Sequence, residues 1–188
     1  MNKIPTLSRL ARAAALAACL GLSPAIALAQ LDAGSNAPVD ITADEGEVIN
    51  SQCLSIWRGE AEALQGATRL RAGEIRVFAN VREDAAPNAQ GRCGATQRLE
   101  AEGEVYYVTP SQTVRGDRAV YLAQTDTITI TGGVVVVQGN NVARGDRMTV
   151  LVKTGQVTLE SNAKGRGAAG RVRGVFYPDG AAPAAARP

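Results

Sequence analysis

The chain of 188 residues carries 20 Lys and Arg against 18 Asp and Glu, contains no histidine, and is 45% hydrophobic but only 4% aromatic. The lack of histidine excludes a Ser-His-Asp triad, a Cys-His pair, a histidine-bearing zinc site and a histidine pH switch. Three of the basic residues and none of the acidic ones lie in the first 29 positions, so the remainder is close to neutral and has no electrostatic footprint for nucleic acid.

In chain order, Lys3, Arg9 and Arg12 open the sequence, an Ala/Leu run follows, and Ala27-Leu28-Ala29 precedes Gln30. A basic start, an apolar stretch and an A-x-A site predict a secretory signal over 1–29, cleaved on export. Two weaker alternatives stand beside it. Leu16-Ala17-Ala18-Cys19 resembles a lipoprotein cleavage box, and the apolar run could be retained as an anchor, although its Ala content and Pro24 make a poor span. After a flexible mature start at 30–37, residues 38–178 are expected to form one domain. The Pro/Ala-rich stretch 179–188 reads as a disordered tail.

Within 38–178 helix signals are nearly absent. Thr127-Ile128-Thr129-Ile130-Thr131 alternates with period two, Gly132-Gly133 reads as a turn, Val134-Val135-Val136-Val137 as a second strand and Gln138-Gly139-Asn140-Asn141 as another turn. The pattern predicts an all-β chain of short strands. Arg-Gly-Asp-Arg occurs at 115–118 and again at 144–147, and the similarity continues well past the tetrapeptide: Val120-Tyr121-Leu122 superposes on Thr149-Val150-Leu151, and Thr127–Ile130 on Gln156–Leu159. Fainter copies follow Ala43-Asp44 and Gly73-Glu74, giving acidic markers at 44, 74, 117 and 146. Gly59-Glu60, Gly103-Glu104 and Gly133-Val134 start a second kind of repeated strand. Such self-similarity signals stacked units rather than an adhesion tripeptide. Arg-Gly-Asp then reads as the turn that enters a strand of each unit. The wider spacing between 74 and 117 holds a loop insertion near 82–95.

Exposure expected for Lys153 and Glu160 sets the faces. Met148, Val150, Val152, Val157 and Leu159 then point inward. Transferred through the repeat, the same register turns Val48, Phe78, Tyr121, Ile128 and Ile130 inward, and in the second kind of strand Ala61, Ala63, Val105, Tyr107, Val135 and Val137. A slip of one residue would swap a whole set. Cys53 and Cys93 lie near the starts of equivalent strands. A disulfide between them is expected, closing a loop of about 40 residues and worth roughly 4 kcal/mol; free or intermolecular thiols are the alternative. Glu60, Glu62, Glu100, Glu102 and Glu104 read as solvated strand faces rather than an acid–base pair. Trp57 reads as a packing residue. The basic run from Lys164 through Arg166 and Arg171 to Arg173 is either a solvated loop or a contact for lipid phosphates or a partner.

Val39-Asp40-Ile41-Thr42-Ala43-Asp44, the repeated Gly-Glu-Val and Gly-Asp-Arg-Ala-Val-Tyr units, Gly155–Glu160 and Arg171–Pro178 together resemble the OstA-like/LptA family of periplasmic lipopolysaccharide-transport bridge proteins. The resemblance covers roughly 38–178; the insertion and the two cysteines depart from it. It implies an open, V-shaped β-jellyroll with an apolar interior that stacks end to end. It implies lipopolysaccharide as ligand, held by its lipid A acyl chains. The partners it implies are inner- and outer-membrane transport components, met through terminal strand edges, and further copies head to tail. No catalytic residue, cofactor or metal follows from it. The expected groove lining is Val48, Phe78, Val105, Tyr107, Tyr121, Ile128, Ile130, Val135, Val137, Val150, Val157 and Leu159, against the alternative that these only pack a β core. Two other readings of the whole chain are a non-catalytic β-repeat scaffold and a β-solenoid enzyme acting on envelope glycans.

Overall fold

A computed structural model describes residues 37–82 and 91–178. The expected signal, most of the mature start, the middle of the insertion and the tail lie outside the described residues. The strands are β1 (Val39–Thr42), β2 (Glu45–Ile49), β3 (Leu54–Gln65), β4 (Thr68–Val81), β5 (Cys93–Val108), β6 (Thr113–Leu122), β7 (Thr127–Gln138), β8 (Asn141–Leu151), β9 (Gln156–Glu160) and β10 (Arg173–Val175). One 3₁₀ turn, Asn50–Gln52, links β2 to β3. Among the described residues no helix is long and apolar enough to cross a membrane.

All strands belong to one antiparallel sheet ordered β1-β3-β4-β5-β6-β7-β8-β10, with β2 also on β3 and β9 also on β8. Each edge is therefore a divided strand: β1 and β2 share the flank of β3, and β9 and β10 share that of β8. The two edges do not pair, so the sheet is open. Its inner face carries the core, with Ile75, Ile130, Met148, Val105, Val114 and Val134 fully buried.

The strands are longer than the glycine spacing suggests, up to 16 residues in β5. Several glycines that look like strand breaks are β-bulges inside continuous strands. Gly59-Glu60 in β3, Gly103-Glu104 in β5 and Gly132-Gly133 in β7 all adopt positive φ, +79° and +43°, +84° and +52°, +87° and +54°. At each bulge the register with both neighbours slips. Two successive left-handed residues insert one extra position, and glycine fills the first because it has no Cβ to clash there.

This corrects the reading of Arg-Gly-Asp as an entering turn. Gly116-Asp117 and Gly145-Asp146 lie inside β6 and β8. A Cβ on Gly116 would stand 2.5 Å from Ile130 Cγ2 and 3.0 Å from the Thr131 carbonyl oxygen. The Asp117 carboxylate fills the space beside Gly132, and Asp44 does the same beside Gly59. At the far edge, Asp146 accepts hydrogen bonds from Ser161 Oγ at 3.0 Å and the Asn162 amide at 2.8 Å. Asp44 and Asp117 thus sit against a bulge glycine of the neighbouring strand, and Asp146 in β8 instead holds the chain that follows β9.

The outer face is polar and ion-paired over its N-terminal part. Arg58 bridges Glu47 and Glu74, each at 3.0 Å. Arg71 meets Glu60 and Glu62, Arg115 meets Glu104, and nearly buried Glu100 is held by Arg98 and Arg118 at 3.2 and 3.3 Å. The alternating glutamates are thus partners of cross-strand arginines. Cys53 and Cys93 are joined by a disulfide with Cα atoms 5.2 Å apart. It straps the start of β3 to the start of β5 across the end of β4, where the Ala79 amide donates to the Cys53 carbonyl.

Candidate functional site

The strand pairings assemble the inner face into apolar rows that run across the sheet. One row passes from Val48 through Ser55, Val77, Leu99, Tyr121, Ile128 and Val150 to Val157. The next passes from Gly46 through Trp57, Ile75, Ala101, Ala119, Ile130 and Met148 to Leu159. Beyond the bulges a third joins Ile41, Ala63, Leu70, Tyr107, Val114, Val136 and Ala143. Apart from the phenols of Tyr107 and Tyr121 and the indole of Trp57, Ser55 is the only polar side chain in them. The apolar strip is continuous because each bulge restores the in–out alternation on the far side at the same height in the sheet.

Leu70, Leu99, Tyr107, Ala119, Tyr121, Ile128 and Ile130 line a narrow apolar hollow between these rows. The central row is sealed from Ile75 to Met148, whereas the outermost row opens toward solvent at its ends: Val48 is 63% and Val157 47% exposed. Tyr121 stands where hollow meets rim, and its hydroxyl donates to Asp126 Oδ1 at 3.1 Å. Burial of the ring holds its pKa above the ordinary tyrosine value, and the hydrogen bond to Asp126 and that carboxylate's charge add to the effect. The phenol therefore keeps its proton, and the wall stays uncharged.

Of the residues expected to face inward, Val105, Tyr107, Tyr121, Ile128, Ile130, Val150 and Leu159 lie in or against the buried cluster. Val48 and Val157 share that face at its two exposed margins. Phe78, Val135 and Val137 do not. Phe78 pairs with Leu54 and Arg98 on the outer face, and the Arg98 guanidinium stacks 4.0 Å from its ring centroid. Val134 and Val136 take the inner positions in β7. Both errors are slips of one residue. In β7 the bulge begins at Gly132, so Gly132 and not Gly133 corresponds to Gly59 and Gly103. In β4, Ala72 pairs with Ala61 as Gly116 pairs with Val105 and Gly145 with Val134. Gly73, rather than Glu74, therefore occupies the aspartate position, and Val77 rather than Phe78 faces inward.

Trp57 packs against the cluster. Sequence reasoning missed Leu70, Leu99, Ala119 and Val114. The signal for the first two was present, since Leu70 alternates with Arg69 and Arg71, and Leu99 with Arg98 and Glu100.

Comparison with known proteins decides the lineage. The family described as LptA/(LptD N-terminal domain) LPS transport protein matches residues 40–156. The chain belongs to this family. The match runs from β1 to the first residue of β9 and so includes nearly all of the apolar rows. A solved structure of similar fold is LptH from Pseudomonas aeruginosa, described as the LptA-homologous periplasmic component of the conserved lipopolysaccharide transport device. It is 16% identical with a TM-score of 0.61, over 79% of this chain and 100% of that one. The fold is thus the open, LptA-like β-jellyroll. An uncharacterized protein of Rhizobium meliloti (strain 1021), R00383, is 26% identical over 106 residues, 56% of this chain and 55% of the relative. The chain therefore spans about half the length of that curated relative.

Proposed function

We propose that this chain is a periplasmic carrier that holds lipopolysaccharide by the acyl chains of lipid A against its apolar inner face. It passes the lipid between inner- and outer-membrane components, which it meets, along with further copies of itself head to tail, through the divided edge strands. The observation that carries this reading is the unbroken apolar strip from Val77 to Val157. Each methylene moved from water to such a surface gains ~0.8 kcal/mol, so a continuous strip lets several chains travel without re-entering water. Membership in a family of transport proteins supports the same reading, and no catalytic step is needed. Tyr121, Tyr107, Leu99, Ile128, Val150 and Val157 are the proposed lining.

A photo-crosslinking residue placed at Tyr121 in cells should capture lipopolysaccharide, whereas the same residue at Val135, on the outer face, should not. Equal capture at both positions, or none at either in a folded protein, would sink the reading. The complete burial of Ile75, Ile130 and Met148 favours a second reading, a packed scaffold. The purified protein would then fail to bind lipid A in solution.

A further inference from the structure

The two edges of the inner face are finished in the same way, with an aromatic ring laid over a glycine. In β2 a Cβ on Gly46 would stand 3.0 Å from Trp57 Cζ3. In β10 a Cβ on Gly174 would collide with the Phe176 ring. Gly174 pairs with Ala143 and so continues the inner row of Ile41, Tyr107 and Val136, which places the Phe176 ring on the inner face. The Tyr177 amide donates to Asn141 Oδ1 at 2.9 Å and holds the chain after β10 beside the start of β8.

The two rings differ in what covers them. Trp57 packs against the buried cluster and belongs to the core. Phe176 stands outside that cluster and is 72% exposed. One side of its ring rests on Gly174, and most of the remainder meets solvent. The row beneath it opens in the same direction: Ala63, Leu70 and Val114 are buried, whereas Val136 and Ala143 are half-buried. With only a methyl group at Ala143 and no side chain at Gly174, the floor is low here. Phe176 rises above it as the last apolar wall of the row. A flexible hydrocarbon chain laid along this floor would cover both surfaces at once, and an aromatic ring offers it a wide apolar area.

We infer that Phe176 is the last contact of the carried lipid on the inner face, the wall against which a fatty acyl chain lies as it crosses the C-terminal edge. The inference rests on the carrier reading and adds to it the place where the chain leaves the sheet. The ring takes no part in the backbone ladder through which this edge pairs, so chain contact and strand pairing use different groups.

The test places a photo-crosslinking residue in cells at Phe176, at Val175 on the outer face and, as reference, at Tyr121. Lipopolysaccharide should be captured at Phe176 and Tyr121 and not at Val175. Capture at Tyr121 without capture at Phe176 overturns this inference and leaves the carrier reading standing; no capture at any position brings both down. Capture of a second copy of the chain at Phe176 in place of lipid also overturns it, because the ring would then belong to the protein seam. With the purified full chain and lipid A, Phe176→Ala should weaken binding about tenfold, the loss of one partly covered apolar side chain. Phe176→Leu should bind nearly as wild type. Gly174→Ala should weaken binding as Phe176→Ala does, because the new methyl group displaces a ring that is itself intact. Urea midpoints of these variants should stay close to wild type, since the ring lies outside the buried cluster. If Phe176→Ala lowers the midpoint and leaves lipid A binding unchanged, the ring only shields the edge glycine and the inference is wrong.

Discussion

Gly116 sits in the middle of a strand, where glycine ordinarily costs about 0.5–1 kcal/mol relative to alanine. Here packing reverses that preference, because a methyl group would meet Ile130 and the backbone of the facing bulge. Gly116→Ala should therefore lose about 1–3 kcal/mol, the usual cost of overpacking, read as a lower urea midpoint at unchanged slope. Gly94, also in a strand, has its nearest neighbours at 3.5 Å and a φ that any residue adopts. Gly94→Ala should be neutral or stabilise by about 0.4–1 kcal/mol. If the two substitutions behave alike, steric opposition to the bulge is not what fixes Gly116. Tyr121 gives a second prediction at this scale. A phenol whose pKa is raised in the folded state contributes stability that is complete below the unfolded value near ~10. That stability is lost as pH climbs through the folded value. Wild type should lose stability on the alkaline side, and Tyr121→Phe should lose less, as checked by denaturant midpoints across that range.

At the scale of elements, the strand pairs are held by covalent and polar links as well as by the ladder. Reducing the Cys53–Cys93 bridge, which spans a sequence separation of 40, should cost roughly 4 kcal/mol, measured as the difference in unfolding free energy with and without reductant; Cys53→Ser/Cys93→Ser should match the reduced protein. The excursion 161–172 is tied down by Asp146, whose pKa is lowered first by the Asn162 amide and then by the Ser161 hydroxyl. A depressed carboxylate pKa contributes stability above the unfolded value near ~4, lost as pH falls through the folded one. Amide protection at Asn162 should therefore drop on acidification, and should already be low in Asp146→Asn at neutral pH. Fold class, repeat and cysteine pairing were legible because each rests on local pattern or on residue identity. Strand faces were legible where the repeat was aligned on the right residue, as for Ala61, Ala63, Val105 and Tyr107. Val150, Val157 and Leu159 could be placed from neighbours in the same hairpin, but Val135 lay across Gly132-Gly133, and Phe78 depended on equating Gly73-Glu74 with Gly116-Asp117. Alternation keeps its parity through the two bulge residues, from Ile130 to Val134, and slips by one only in the strand opposite, from Ala72 to Ile75; the sequence offers two adjacent glycines at 132 and 133 with nothing to say which one matches Gly59 and Gly103. Leu70 and Leu99 were missed for a different reason: their alternation with charged neighbours is plain, but their strands carry only weak copies of the repeat.

For the molecule as a whole, a single open sheet means that the inner strands are supported on both sides and the divided edges on one. Amide exchange should accordingly be slowest in β4–β7 and fastest in β1, β2, β9 and β10; uniform protection would mean that the edges are secured by contacts beyond the ladder. The same openness makes both edges available for pairing. The bulges also recur on every second strand, in β3, β5 and β7. The smallest unit that can be added or deleted without turning the apolar side outward is therefore a pair of strands, never one. Strands lie about 4.8 Å apart, so the apolar path can lengthen or shorten only in steps of about 10 Å. Its reach is quantised by the architecture.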